Sequence, residues 1–121
     1  MHWLFGAPFS LPDALLQRYP ELGDARWRRG GLALRIGGWC LGRASVSGIT
    51  LWNMIWLSSS APLDAELLLH ELRHVHQFQA DPLFPLRYVW RSVRDGYTDN
   101  PYEADARAYA AERLERAHPT V

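Results

Sequence analysis

Residues 61–79 read APLDAELLLHELRHVHQFQ, and the architecture of the chain turns on this stretch. After Pro62 it holds no glycine and no proline, so nothing in it interrupts a helix. Ser60 or Asp64 can serve as N-cap, with Pro62 near the start and acidic residues in the opening turns, where the helix dipole favours negative charge. Leu68, Leu72 and Val75 share one apolar stripe, extended by Leu67 and Phe78. Asp81-Pro82 ends the element, because a proline disfavours helical backbone at the residue before it. His70, His74 and Gln77 make a separate polar stripe at i, i+4, i+7.

Inside the helix, His70-Glu71-Leu72-Arg73-His74 is an H-E-x-x-H run. Two histidines one turn apart project from the same side, so both imidazoles can reach a single zinc ion. Imidazoles buried on so apolar a helix need partners, and a metal is a good one. Glu71, next to the first histidine, stands where a base could take a proton from metal-activated water. The plainer alternative is a pair of half-exposed helix histidines, with Glu71 and Arg73 on a solvated face. His76 lies ~200° around the helix from His74. It cannot share the metal, and reads as a surface or packing residue.

A catalytic zinc site usually takes three protein ligands. A third histidine six residues past His74 is excluded, since that position is Ala80. The last helix opens Asn100-Pro101-Tyr102-Glu103-Ala104-Asp105-Ala106, with Asn100 as N-cap and Pro101 as first helical residue. Glu103 in its first turn is the favoured third ligand. It competes with local roles, as a cap of its own helix or as partner of Arg107 one turn on. Asp105 falls on roughly the other side of that helix. Asp99 and His118 stay open as weaker candidates.

These residues carry a resemblance. His70-Glu71-x-x-His74-x-x-Gln77 followed by Asn100-Pro101-x-Glu103-x-Asp105-Ala106 resembles the small bacterial zincin-like proteins of gluzincin type, in both order and spacing. The resemblance rests mainly on Leu67 to Gln79 and Asn100 to Ala110. It implies His70, His74 and Glu103 as Zn2+ ligands, Glu71 as general base, and hydrolysis of peptide bonds in a peptide or protein substrate. It also implies that Thr50 to Leu57, the strand before the motif helix, lies beside a cleft where an extended peptide adds by β-pairing. The chain departs from the pattern in size: no second lobe is visible. No residue clearly matches the transition-state stabiliser, for which Tyr97, Tyr102, Tyr109 and Arg107 are candidates. A catalytically inactive zinc-binding or protein-interaction module is the alternative.

With 121 residues the chain reads as one zincin-like domain spanning 1–121. Thirteen basic residues balance thirteen acidic ones, which argues against nucleic-acid binding. The clustered Arg26, Arg28 and Arg29 read as solvated surface. Cys40 is the only cysteine, so neither a disulfide framework nor a cysteine zinc site is available. The N-terminus lacks the pattern of a signal peptide, and no apolar run reaches the length of a membrane span. The expected location is cytoplasmic.

The expected fold is α+β, a small antiparallel sheet beside the motif helix and further C-terminal helices. Ser10 caps a first helix that runs to about Tyr19. Alternation over Leu32, Leu34 and Ile36 predicts a strand, and Ala44 to Ile49 a second. Thr50 to Leu57 (TLWNMIWL) reads as the strongest strand, with Trp52, Met54 and Trp56 on one core-facing side. Pro85 to Val93 is helical, with Leu86, Val89, Trp90 and Val93 on one stripe, closed by Asp95-Gly96. The final helix runs from Pro101 through Ala117.

Overall fold

Short strands occupy the first half of the chain and long helices the second, as expected for the α+β class. The computed structural model describes residues 6–31 and 48–117, and the chain divides into two units, Met1–Pro62 and Leu63–Val121. The strand expected over 32–36, residues 44–47 of the one expected over Ala44 to Ile49, Cys40 and His118 lie outside the described residues, while Gly48 and Ile49 open a described strand.

In the first unit β1 (Ala7–Pro8), β2 (Arg26–Arg29), β3 (Gly48–Leu51) and β4 (Met54–Leu57) form one sheet in the order β1-β2-β4-β3. β1 pairs antiparallel with β2 and β3 antiparallel with β4, but β2 and β4 run parallel, Arg26 opposite Met54 through Arg29 opposite Leu57. The sheet is therefore mixed rather than wholly antiparallel. Tight turns can join only antiparallel neighbours, and the long connection from Gly30 to Asn53 permits the parallel pair.

TLWNMIWL is a hairpin, not one strand. Thr50-Leu51 and Met54-Ile55 face each other across a two-residue turn of Trp52 and Asn53, with Trp52 in the left-handed region at φ 54°. Trp52 is 73% exposed, while Ile55, Trp56 and Leu57 are buried, so the expected core stripe of Trp52, Met54 and Trp56 is broken at its first member. A bulky aromatic side chain is an uncommon occupant of left-handed backbone, and this hid the turn.

The arginine cluster is likewise not a solvated patch. β2 is an inner strand with Trp27 buried, and the indole Nε1 donates to Leu22 O at 2.8 Å. Arg28 Nη2 donates to Gly6 O at 3.0 Å. Arg29 Nη1 reaches the carbonyls of Ser58, Ser59 and Ala61 at 2.8, 3.2 and 3.2 Å, and its guanidinium lies 5.2 Å from the Phe9 ring centroid. The aliphatic stems pack while the heads satisfy loop carbonyls. Only Arg26 is exposed. Gly6 makes this approach feasible: at φ +68°, a Cβ there would sit 2.5 Å from Arg29 O.

Helix α1 spans Asp13–Arg18 and starts after Pro12, whose extended backbone serves as N-cap with no side-chain cap bond, so Ser10 does not cap it. Tyr19 ends it as expected, and a 3-10 turn follows over Pro20–Asp24.

The second unit is helical. α2 spans Ala65–Ala80, with Asp64 as N-cap accepting from Leu67 N at 2.8 Å. Leu68, Leu69, Leu72 and Val75 are buried along it. α3 spans Phe84–Asp95 and is closed by Gly96, where φ +81° favours glycine. α4 spans Pro101–Ala117 and packs along α2. Among the described residues no helix is long and apolar enough to cross a membrane.

Asn100 ties the last two helices together. It is fully buried, its Oδ1 accepts from Tyr102 N at 2.9 Å, and its Nδ2 donates to Tyr88 O at 3.1 Å and Ser92 Oγ at 2.8 Å. Asn100→Ala removes a cap and two part-buried hydrogen bonds between the helices. Urea unfolding is expected to show a loss of about 2 kcal/mol, against a few tenths for Ala104→Ser on the exposed face.

Candidate metal centre

His70 and His74 leave α2 on the side that meets the first turn of α4, and Glu103 arrives there from α4. Glu103 Oε1 accepts from His70 Nε2 at 2.7 Å and from His74 Nε2 at 3.2 Å, and Oε2 accepts from the Tyr88 hydroxyl. Glu103 and His74 are 3% and 6% exposed, so the cluster is largely closed to water. Phe84, Tyr88 and Tyr102 form an aromatic wall beside it, with His74 6.2 Å from Phe84 and 6.0 Å from Tyr88, ring centre to ring centre.

The tautomer of His74 is set from behind. Gln77 Nε2 donates to Tyr102 O at 3.0 Å and Asp105 Oδ2 at 2.9 Å, which consumes both amide protons. The amide oxygen is left facing His74 Nδ1 at 2.7 Å, so Nδ1 must be the donor there. With Nε2 also donating to Glu103, the ring carries a proton on each nitrogen. Burial opposes that charge, but the Glu103 bond, the nearby carboxylates of Glu71 and Glu103 and the Gln77 bond lift the His74 pKa to about 9. Burial pushes Glu103 upward too. The bonds from His70, His74 and Tyr88 outweigh it and hold the carboxyl well below the usual range. Tyr88 is pushed far above its ordinary value, first by burial and then by Glu103.

This donor set fits a divalent ion. Loss of the Nε2 protons leaves two imidazole lone pairs and one carboxylate oxygen converging, all within 4.8 Å of one another. No other such group occurs among the described residues. His70, His74 and Glu103 could thus hold a metal ion.

The plainer roles for Glu103 do not apply. Its carboxylate turns to the histidines rather than to its own helix end, and Arg107 donates instead to Thr98 O at 2.7 Å. Asp99 is exposed and stands outside the cluster. Asp105 is outside it as well, though not idle. It accepts from Arg73 Nε at 2.7 Å as well as from Gln77, and the Arg73 bond chiefly lowers its pKa. Arg73 is therefore engaged with α4, and Asp105 reciprocally raises its pKa. His76 packs edge-on against Tyr109 at 5.5 Å, the packing role expected for it. Glu71 is buried, not solvated, and its charge is felt at His74 and Tyr88.

Tyr88 is the residue that the motif reading missed. On α3 the side opposite the Leu86 stripe carries Phe84, Tyr88 and Ser92, and the only phenol there meets the only buried carboxylate of α4. Of the other phenols, Tyr102 belongs to the aromatic wall and Tyr109 meets His76 edge-on beneath the Arg73 guanidinium.

Comparison with models of known protein families, with curated proteins and with solved structures returns no match.

Proposed function

We propose that this chain is a zincin-like metallopeptidase of gluzincin type, holding zinc through His70, His74 and Glu103. The observation that carries the reading is the convergence of His70 Nε2, His74 Nε2 and Glu103 Oε1 in one buried cluster. Two nitrogens and a carboxylate oxygen, with Gln77 behind one imidazole, make a donor set suited to zinc. Bound there, zinc supplies Lewis-acid polarisation of a carbonyl and acidifies water.

The chain's own residues divide the remaining work. The Glu71 carboxylate takes the proton of the attacking water and returns it to the leaving amine of a cleaved peptide bond. Tyr88 donates to Glu103 Oε2 and so holds that carboxylate with Oε1 turned to the imidazoles. Gln77 keeps His74 protonated at Nδ1 and so presents Nε2. The aromatic wall limits water around the cluster and strengthens each of these interactions.

Elemental analysis of untagged protein tests the reading, with one zinc per chain expected and none in His74→Ala. Protein that purifies without metal and gains no melting temperature from added zinc would overturn it. Gln77→Leu is expected to weaken zinc ~10–100-fold in chelator competition, because the Nδ1 proton is no longer held. Gln77→Glu keeps the acceptor and should lose far less.

A further inference from the structure

α3 carries an apolar face that nothing in its own unit covers. Leu86, Val89, Trp90 and Val93 follow at i, i+3, i+4, i+7, and they are 71%, 52%, 61% and 75% exposed. Leu83, at the helix entrance, adds to the same side at 52%. The opposite side of the helix is the one used inside: Phe84 is 4% exposed and Tyr88 reaches Glu103. A contiguous stripe of this kind is more than the scattered apolar residues of an ordinary surface.

Charge narrows what fits it. Arg87, Arg94 and Arg91 lie on one flank of the stripe, at ~80–140° from Leu86 on a helical projection. The Arg87 and Arg94 side chains are 56% and 59% exposed. Arg87 pairs with Asp81 and Arg94 with Asp95 at the surface, weak pairs that exchange readily for another anion, whereas Arg91 Nε and Asp95 Oδ2 lie buried against each other. The stripe itself holds no acidic residue. A helix with Trp, Leu and Val on one face and arginines that can snorkel from its flank suits the interface of an anionic bilayer, lying in its plane. A second copy packed antiparallel suits it less well. An antiparallel two-fold pair would bring the arginine flanks of both helices to the same seam, where they repel.

We propose that α3 is a membrane-surface helix that lays Leu86, Val89, Trp90 and Val93 into the headgroup boundary of a bilayer containing anionic lipid. The arginines engage the headgroups, and the Phe84–Tyr88 side stays with the rest of its unit. The proposal is independent of catalysis, since none of the four apolar residues touches the metal cluster.

Sedimentation with vesicles tests it, using phosphatidylcholine alone and phosphatidylcholine mixed with phosphatidylserine. The full chain is expected to pellet with the serine-containing vesicles at least ~10-fold more strongly than with neutral ones, and less as salt rises. Leu86→Ser/Trp90→Ser should abolish pelleting, and Arg87→Glu/Arg94→Glu should weaken it ~10-fold or more. All four side chains are exposed, so circular dichroism and melting temperature should be unchanged, which separates lost binding from lost fold. Absence of pelleting with anionic vesicles overturns the proposal, as does equal pelleting with neutral ones. A concentration-dependent dimer dissolved by Leu86→Ser/Trp90→Ser, without vesicle binding, assigns the face to a second copy and also overturns it.

Discussion

Glu71→Gln is expected to keep its zinc and its melting temperature while losing at least ~10²-fold in peptide hydrolysis. The residue is buried and follows His70 on α2, ~100° around the helix, and lies outside the ligand cluster. A protein that only holds metal has no use for a base there, so the substitution separates an enzyme from a binding module. Glutamine preserves size and one carbonyl oxygen and removes only the basicity. Zinc content, melting temperature and turnover on a diverse peptide library should be read on both proteins. If both bind zinc and neither cleaves, the module reading prevails. Cleavage by the variant at the wild-type rate would remove Glu71 from the mechanism.

Glu103→Ala is expected to have the largest effect on stability. Three donors converge on this carboxylate, from His70, His74 and Tyr88, and it is 3% exposed. Without it, two imidazole N–H groups and a phenol lose their shared acceptor. In chelator-treated protein this should cost about 3 kcal/mol, or more than ~10 °C in melting temperature. The zinc-loaded form should suffer more, because a ligand goes as well. Glu103→Gln retains an acceptor oxygen, so its chelated form should fall less while still losing stoichiometric zinc. A Glu103→Ala protein with unchanged melting temperature and full zinc content would dismiss the residue from the site.

What could be seen in advance divides by range of interaction. The α2 cap at Asp64, its end before Pro82, and the Asn100-Pro101 start of α4 are local chemistry, written within a turn of where they act. The same holds for His70 and His74, one helical turn apart. Glu103 could be reached because its helix start fixes its direction. Partners from other helices were hidden: Tyr88 arrives from α3, and Asp105 turns out to brace Gln77 and Arg73 rather than point away from the site. In the sheet, β2 was masked because RWRR looks polar until its arginines are seen to feed loop carbonyls. Trp52 concealed a turn by occupying backbone that glycine or asparagine would have advertised. The parallel β2–β4 pair is a long-range pairing that no local signal encodes.

The contact between His74 and Glu103 spans 29 positions of the chain and encloses all of α3. An ion clamped across that span would act on the unfolded ensemble as a covalent cross-link does, forbidding its most extended members. A disulfide closing a loop of this size removes chain entropy worth roughly 3–4 kcal/mol. A unit of three helices with no cysteine among its described residues would then owe part of its persistence to supply of metal. Starved of it, such a unit should open sooner in the α3 segment than elsewhere, and faster amide exchange there would register the loss before any change in activity.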